Sequence, residues 1–314
     1  MQTNSYNCLV VLGPTASGKT KLACQLAYEL NGEIISADSR QVYKGLTIGA
    51  GKDLNEYIVN GKQIPYHLID IWETDKQFYL SDYIRELKKA FEHISSRNKL
   101  PIICGGTGLY LEVLEKDHSF TQIPENLELR NKLNELNKEE LVEMLNNLRS
   151  ESDPSTSPDS NRDRVTHSVD LNSKKRIIRG IEIVVYLKQH PNLKKEELLY
   201  KPKYIGIKVD AETRNQRIDD RLKYRLEHGL IEEAEGLLKQ GISHERLQFL
   251  GLEYKFLSYY LQGQINKQEL YTKLSTAIHQ FAKRQMTWFR RMERQGIQIE
   301  WVDLNIFDPR SFRL

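Results

Sequence analysis

Cysteine is scarce: Cys8, Cys24 and Cys104 are the three in 314 residues, far apart and in no CxxC pair. Cys8 and Cys104 fall in apolar runs, where a buried reduced thiol is the expected state. That spacing argues against a zinc module and against a disulfide-stapled secreted domain. Long hydrophobic runs are missing too. No stretch approaches the ~18 apolar residues of a membrane helix, and the opening MQTNSYNCLVVLG has no basic segment ahead of a long apolar one. The expectation is a cytoplasmic chain with no membrane partner. An excess of one charge is absent as well, since 46 Lys and Arg face 43 Asp and Glu for a net +3. Bulk charge therefore does not announce a nucleic-acid binder, and any such role must rest on local basic clusters. No internal repeat and no Asn-Lys-x-Asp guanine reader is present.

With 39% hydrophobic and 28% charged residues, the chain can build a sizeable core. Short apolar runs alternate with helical patterns. NCLVVL (7–12), EIISA (33–37), HLIDIW (67–72), PIIC (101–104), YIGIKV (204–209) and IQIEWVDL near the end read as strands. Leu22, Ala23, Leu26, Ala27 and Leu30 share one face of a first helix, which Gly32 ends. A second helix, capped by Ser81 and running to about Asn98, turns Tyr83, Leu87, Ala90, Phe91 and Ile94 inward. This alternation predicts an α/β fold, a parallel sheet flanked by helices. From 117 to 150 the chain turns polar and helical around a thin stripe (Leu133, Leu136, Leu141, Met144, Leu145, Leu148), and the Ser-, Pro- and Asp-rich 151–163 reads as a loop. A basic helix opens at Asn172, and a long charged one at about Thr213. The expected organisation is an α/β core over 1–116, a small all-helical insertion over 117–200, and completion of the core with C-terminal helices over 201–314.

Residues 13–20, Gly13-Pro14-Thr15-Ala16-Ser17-Gly18-Lys19-Thr20, match G-x-x-x-x-G-K-[ST] between a strand and a helix. The glycines let the loop curl so that backbone N–H groups converge on phosphate oxygens. The following helix adds its N-terminal dipole. Lys19 would reach the phosphates and Thr20 would ligate Mg²⁺. The motif specifies phosphate binding but not the phosphate compound, so a small-molecule kinase remains open here.

Asp38 follows the second strand. Beyond the carboxyl end of a parallel strand it faces the ligand crevice, where it can accept a proton from a nucleophile. A turn-stabilising aspartate is the competing account. Gly105-Gly106-Thr107-Gly108 ends the PIIC strand on the same edge and offers N–H and hydroxyl donors, or simply a tight turn.

Together GPTASGKT, SADSRQVYKGLTIGAGK, PYHLIDI, LPIICGGTGLYL and KRQMTWFRR resemble the bacterial tRNA dimethylallyltransferases, from Leu9 to about Asp303. The resemblance implies transfer of a dimethylallyl group from dimethylallyl diphosphate to N6 of the adenine 3′ to a tRNA anticodon. It implies that the P-loop, with Mg²⁺, holds the donor's diphosphate rather than ATP. Asp38 matches the family's base toward the adenine N6 amine. Thr107 and Arg217 match residues on the diphosphate side. Ser39, Arg40 and Gln41 match residues that hold a flipped base and its neighbours.

The tRNA anticodon stem-loop is the implied partner, and a monomer is expected. Lys175, Ile177, Ile178, Arg176 and Arg179 lie in a run that resembles a tRNA-touching segment of the family, and Arg130 matches a contacting position. Near the end, Arg284, Trp288 and Arg291 share one helical face, and Lys283, Arg290 and Arg294 another, a mixture suited to phosphates and splayed bases. The chain departs from the family at 249–256, FLGLEYKF, where Gly-Tyr-Lys/Arg-Glu is usual, and at 151–170. Besides the kinase, a tRNA-binding module without catalysis is the remaining alternative.

Overall fold

In the computed structural model, residues 6–116, 118–150, 169–190 and 199–314 are described. The loop expected at 151–163 lies outside them. The chain divides into two compact units, one of residues 1–115 with 199–314, the other of residues 116–198.

The first unit is built on β1 (Cys8–Leu12), a run of branched apolar residues with no exposed position. Its odd and even side chains go to opposite faces, as the pleat requires. Leu9 and Val11 meet Leu22, Ala23, Leu26 and Ala27 of α1 (Lys19–Glu29). Val10 and Leu12 meet the other face, with Tyr83, Leu87 and Phe91. β2 (Gly32–Ala37) follows, then a small hairpin, β3 (Ile58–Val59) with β4 (Lys62–Gln63), then β5 (Tyr66–His67). α2 (Leu80–Ser95) buries all five residues expected to face inward. It starts one residue before Ser81, with Asp82 accepting the Tyr79 N–H at 3.0 Å in place of a serine cap. β6 (Leu100–Gly105) and the short α3 (Gly108–Glu112) complete the first stretch.

The strand expected over 67–72 is only two residues long. Leu68 (φ 62°) and Asp70 (φ 56°) adopt left-handed backbone, which ends the pleat. Asp70 is held there by the Gln41 carbonyl, which accepts its N–H, and by the buried Lys52 ammonium.

The second unit begins with α4 (Leu127–Glu135), α5 (Lys138–Ser150) and α6 (Lys174–Gln189). Leu133, Leu141 and Leu145 pack on Ile177, Ile178, Ile181 and Val184. Glu182 is its buried anion, accepting the Asn126 N–H and contacting Arg130 and Arg179.

Back in the first unit come β7 (Pro202–Ile207), α7 (Ala211–Glu227), α8 (Leu230–Lys239), α9 (His244–Phe249), α10 (Leu252–Leu261), α11 (Lys267–Arg294) and β8 (Ile299–Val302). The sheet order is β5-β2-β6-β1-β7-β8, every pairing parallel. Register decides the site. Gly105 pairs with both Leu12 and Ala37. The last residues of β2, β6 and β1 therefore stand in one row, and the loops after them leave the same edge. At about 4.8 Å per strand, the starts of the loops after β1 and β2 are roughly 10 Å apart. A Cβ at Gly105 would lie 2.2 Å from the Ala37 carbonyl oxygen, so only glycine fits the middle of that row.

Candidate active site

Above this row lies a cleft of about 850 Å³. Thr15, Ala16, Gly18, Lys19 and Thr20 line it from the first loop. Gly18 caps α1 with φ 88°, a left-handed turn that points the following amides forward. Gly13, Pro14 and Ser17 lie beneath rather than in the wall. The Ser17 N–H returns to the Pro14 carbonyl, and a Cβ on Gly13 would meet the Ser17 hydroxyl at 2.6 Å. Burial lowers the Lys19 ammonium pKa, while Cys104 and Asp38 pull it back up and Arg221 lowers it further. Lys19 thus sits in a cleft where an anion would be strongly stabilised.

Asp38, Ser39, Arg40 and Gln41 line the same cleft after β2, and Thr107 after β6. The Asp38 carboxylate accepts the Arg40 N–H at 2.8 Å, which fixes its turn. The Ser39 N–H donates to the Thr107 hydroxyl at 3.4 Å, linking the two loops. Gln41 is nearly buried, its side-chain oxygen accepting the Ser36 hydroxyl at 2.7 Å and its NH₂ donating to the Gly51 carbonyl at 3.0 Å. It braces the turn while still lining the cleft. The Arg40 guanidinium donates to the Phe249 carbonyl at 2.9 Å.

Arg217 lines the cleft from α7 with an exposed side chain. Sequence reasoning stopped there and missed the next two turns. Arg221 donates to the Thr15 hydroxyl at 2.5 Å. Burial and the neighbouring Arg225 push it down to about 10, against the pull of Asp53, Glu253 and Glu56. Arg225 is buried and holds both Asp53 oxygens at 2.9 and 3.0 Å. The signal was in the sequence, since arginines at 217, 221 and 225 are spaced by four and share one helical face.

Gln285 was also missed. From α11 its side-chain oxygen accepts the Thr15 N–H at 2.8 Å, and its amide nitrogen donates to the Gly106 carbonyl at 3.0 Å. One buried side chain thus ties the first loop to the third. Arg284 and Trp288 line the cleft from the same helix. The Trp288 ring fills the space where a Cβ on Gly108 would come within 2.2 Å, and its Nε1 is buried without a partner among the described residues. Arg291 stacks over that ring at 5.0 Å. Lys283, Arg290 and Arg294 are exposed on the other faces. The 249–256 segment adds Gly251, Leu252, Glu253 and Lys255 to the wall. Burial raises Glu253 above the usual carboxylate range, with Arg225 and Arg221 opposing.

The other expected contacts belong to the helical unit. Ile177 and Ile178 are corrected: both side chains are buried in that unit's core, because the helix turns its apolar stripe inward, and RNA cannot reach them. Arg179 is largely occupied, donating to the Ile123 carbonyl at 2.7 Å and meeting Glu182. Arg130 is paired with Glu125 and Glu182. Lys175 and Arg176 are exposed, Arg176 beside Asp170. All three cysteines are buried and free, Cys8 and Cys104 as their apolar settings imply. Among the described residues no helix is long and apolar enough to cross a membrane.

Known proteins resemble this chain along nearly its whole length. Residues 41–292 match the family model of IPP transferases. The chain is 45% identical over 306 residues to tRNA dimethylallyltransferase 2 of Bacteroides fragilis, covering 98% of this chain and 95% of that one. Among solved structures, the tRNA isopentenylpyrophosphate transferase of Staphylococcus epidermidis superposes with a TM-score of 0.62 at 31% identity, over 96% of this chain and 94% of that one. A eukaryotic dimethylallyltransferase acting on tRNA shares the fold, with a TM-score of 0.69 at 23% identity over 97% of this chain and 76% of that one. With the phosphate loop, the Asp38 turn and Thr107 on one sheet edge, and relatives this similar along nearly the whole length, the chain belongs to the tRNA dimethylallyltransferase family of IPP transferases.

Proposed function

We propose that this protein transfers the dimethylallyl group of dimethylallyl diphosphate to N6 of the adenine 3′-adjacent to a tRNA anticodon. The observation that carries the reading is the single cleft shared by Lys19, Asp38, Thr107 and Arg221, with cations on one side and a carboxylate about two strand spacings away. The donor's C1–O bond breaks as the N6–C1 bond forms. Asp38 takes the N6 proton, and the diphosphate departs against Lys19, Thr107 and the α7 arginines. A base inside an anticodon loop must leave its stack to reach such a cleft. Arg284 and Trp288 at the wall suit a splayed nucleotide.

Mg²⁺ fits the residues present. Thr20 offers a hydroxyl oxygen in the cleft, and no three His, Cys, Asp or Glu cluster as a cage among the described residues. That donor set suits a cation held by few protein oxygens together with waters and substrate phosphates. When bound, it would neutralise charge on the diphosphate. Thr20 would be its protein ligand, and Lys19 and Arg221 would hold the remaining phosphate oxygens.

The experiment is incubation with tRNA, Mg²⁺ and labelled dimethylallyl diphosphate, scoring label in the RNA. Asp38→Ala should lower the single-turnover rate by about 10²–10⁴-fold with tRNA affinity within a few-fold. A wild-type rate in that variant would remove Asp38 from the mechanism, and phosphate transfer from ATP as the main reaction would replace the whole reading with a kinase.

A further inference from the structure

A carboxylate announced by no motif, Glu233, sits behind the cleft wall. Glu233, on α8, accepts three consecutive backbone N–H groups: Thr47 at 2.9 Å, Ile48 at 2.7 Å and Gly49 at 3.0 Å. The Tyr254 hydroxyl donates to it as well, at 2.6 Å. Successive amides converging on one anion form a nest, here filled from within the chain. The buried Tyr254 ring packs so closely on Gly49 that a Cβ there would lie 2.6 Å from it.

Gly49, Ala50 and Gly51 then form one wall of the cleft. The Gly51 carbonyl accepts the Gln41 amide, and Gln41 belongs to the turn in which Arg40 braces Asp38. A continuous set of hydrogen bonds therefore runs from Glu233, through the 47–51 wall, to the Asp38 turn. Only a carboxylate satisfies the nest. Glutamine has one acceptor oxygen, and its NH₂ group would face amide donors.

We propose that Glu233 is a positioning residue for prenyl transfer, a carboxylate latch that holds the 47–51 wall and, through Gln41, the turn carrying Asp38. The assignment rests on Asp38 as the acceptor-side base. Glu233 touches no reacting atom, so its loss should slow chemistry without loosening tRNA.

The test uses Glu233→Gln, Glu233→Ala and Tyr254→Phe in the full chain. Amide exchange over residues 44–52 is measured alongside single-turnover prenylation at saturating tRNA and donor. The expected result for both Glu233 variants is faster exchange at Thr47, Ile48 and Gly49, with a rate loss of about 10–100-fold, the scale of a displaced catalytic group. The tRNA Kd should stay within about 3-fold, because the phosphate contacts that set affinity lie elsewhere. Acetate should recover part of the Glu233→Ala rate saturably by refilling the nest, and chloride at equal ionic strength should not. Tyr254→Phe keeps the packed ring, so it reads the latch even if the Glu233 variants do not fold. It should show faster exchange at the same three amides and a rate loss of about 3-fold, the scale of one lost hydrogen bond. Wild-type rates in the variants, a rate loss with unchanged exchange at 47–49, or no recovery with acetate would each overturn the proposal. If the wild-type protein itself fails to prenylate tRNA, the functional reading fails instead, and the exchange data still decide the latch.

Discussion

Gln285 offers the sharpest test of how the site is held. Replacing it with methionine keeps much of its volume and removes both polar atoms. The Thr15 N–H and the Gly106 carbonyl, now 2.8 and 3.0 Å from the amide, lose their partner. An orphaned buried backbone group costs about 1–3 kcal/mol. Thr15 is only partly buried and can recruit water, which puts its share at the low end. The Gly106 side has no such room, since even a Cβ there would come within 2.2 Å of the Gln285 nitrogen. The sum is about 2–4 kcal/mol, or about 4–16 °C in Tm for a unit of this size. The freed first loop should also raise the KM for dimethylallyl diphosphate by about 10-fold while leaving the tRNA Kd unchanged, since roughly 1.4 kcal/mol of lost donor binding is a factor of ten. Gln285→Glu separates the two bonds. Its oxygen still accepts the Thr15 N–H, but an ionised carboxylate would face the Gly106 carbonyl. Protonation restores a donor there, so this variant should recover stability as pH falls, opposite to the trend of a paired carboxylate. Thermal melts from pH 5 to 8 and donor titrations read both effects. A Gln285→Met protein with wild-type Tm and wild-type donor KM would refute the stitching role.

Burial alone would raise Glu33, but Arg97, Lys99 and His67 outweigh it and hold the carboxyl at about 2, below the ordinary 4.5. Because the folded value is the lower one, this stabilisation is present above about pH 4.5 and is lost as pH falls toward 2. Glu33→Gln should lower Tm at pH 7 and remove that part of the acid sensitivity in melts taken across the window. On the helical unit, Lys175→Ala with Arg176→Ala should weaken tRNA binding and flatten its salt dependence, measured by titration at several salt concentrations. Arg179→Ala should instead lower thermal stability, because its guanidinium satisfies the Ile123 carbonyl and faces the buried Glu182. Equal effects of all three arginine and lysine changes on RNA affinity alone would refute that division.

What the sequence determined by itself is what local chemistry fixes. The G-x-x-x-x-G-K-T turn is announced by its own glycines and the helix that follows, although distant Gln285 and Arg221 hold it in place. The inward face of α2 is set by 3.6-residue periodicity, and all five of its expected core positions are buried. Short apolar runs between helices call for a parallel sheet covered on both faces, with its loops leaving one edge; the strand order β5-β2-β6-β1-β7-β8 came from long-range pairing. Tertiary structure decided what depends on partners far along the chain. Gln285 meets Thr15 across 270 positions, and Glu233 meets Gly49 across 184. No window of sequence contains both ends of either bond. The strand expected after His67 stops because Lys52 and Gln41 hold Asp70 in a left-handed turn, a competition that β-propensity does not register. Gln41, Arg130 and Arg179 look in the sequence like groups free for a ligand. The fold engages their polar atoms internally, because a buried donor or acceptor left unpaired costs more than the bond returns.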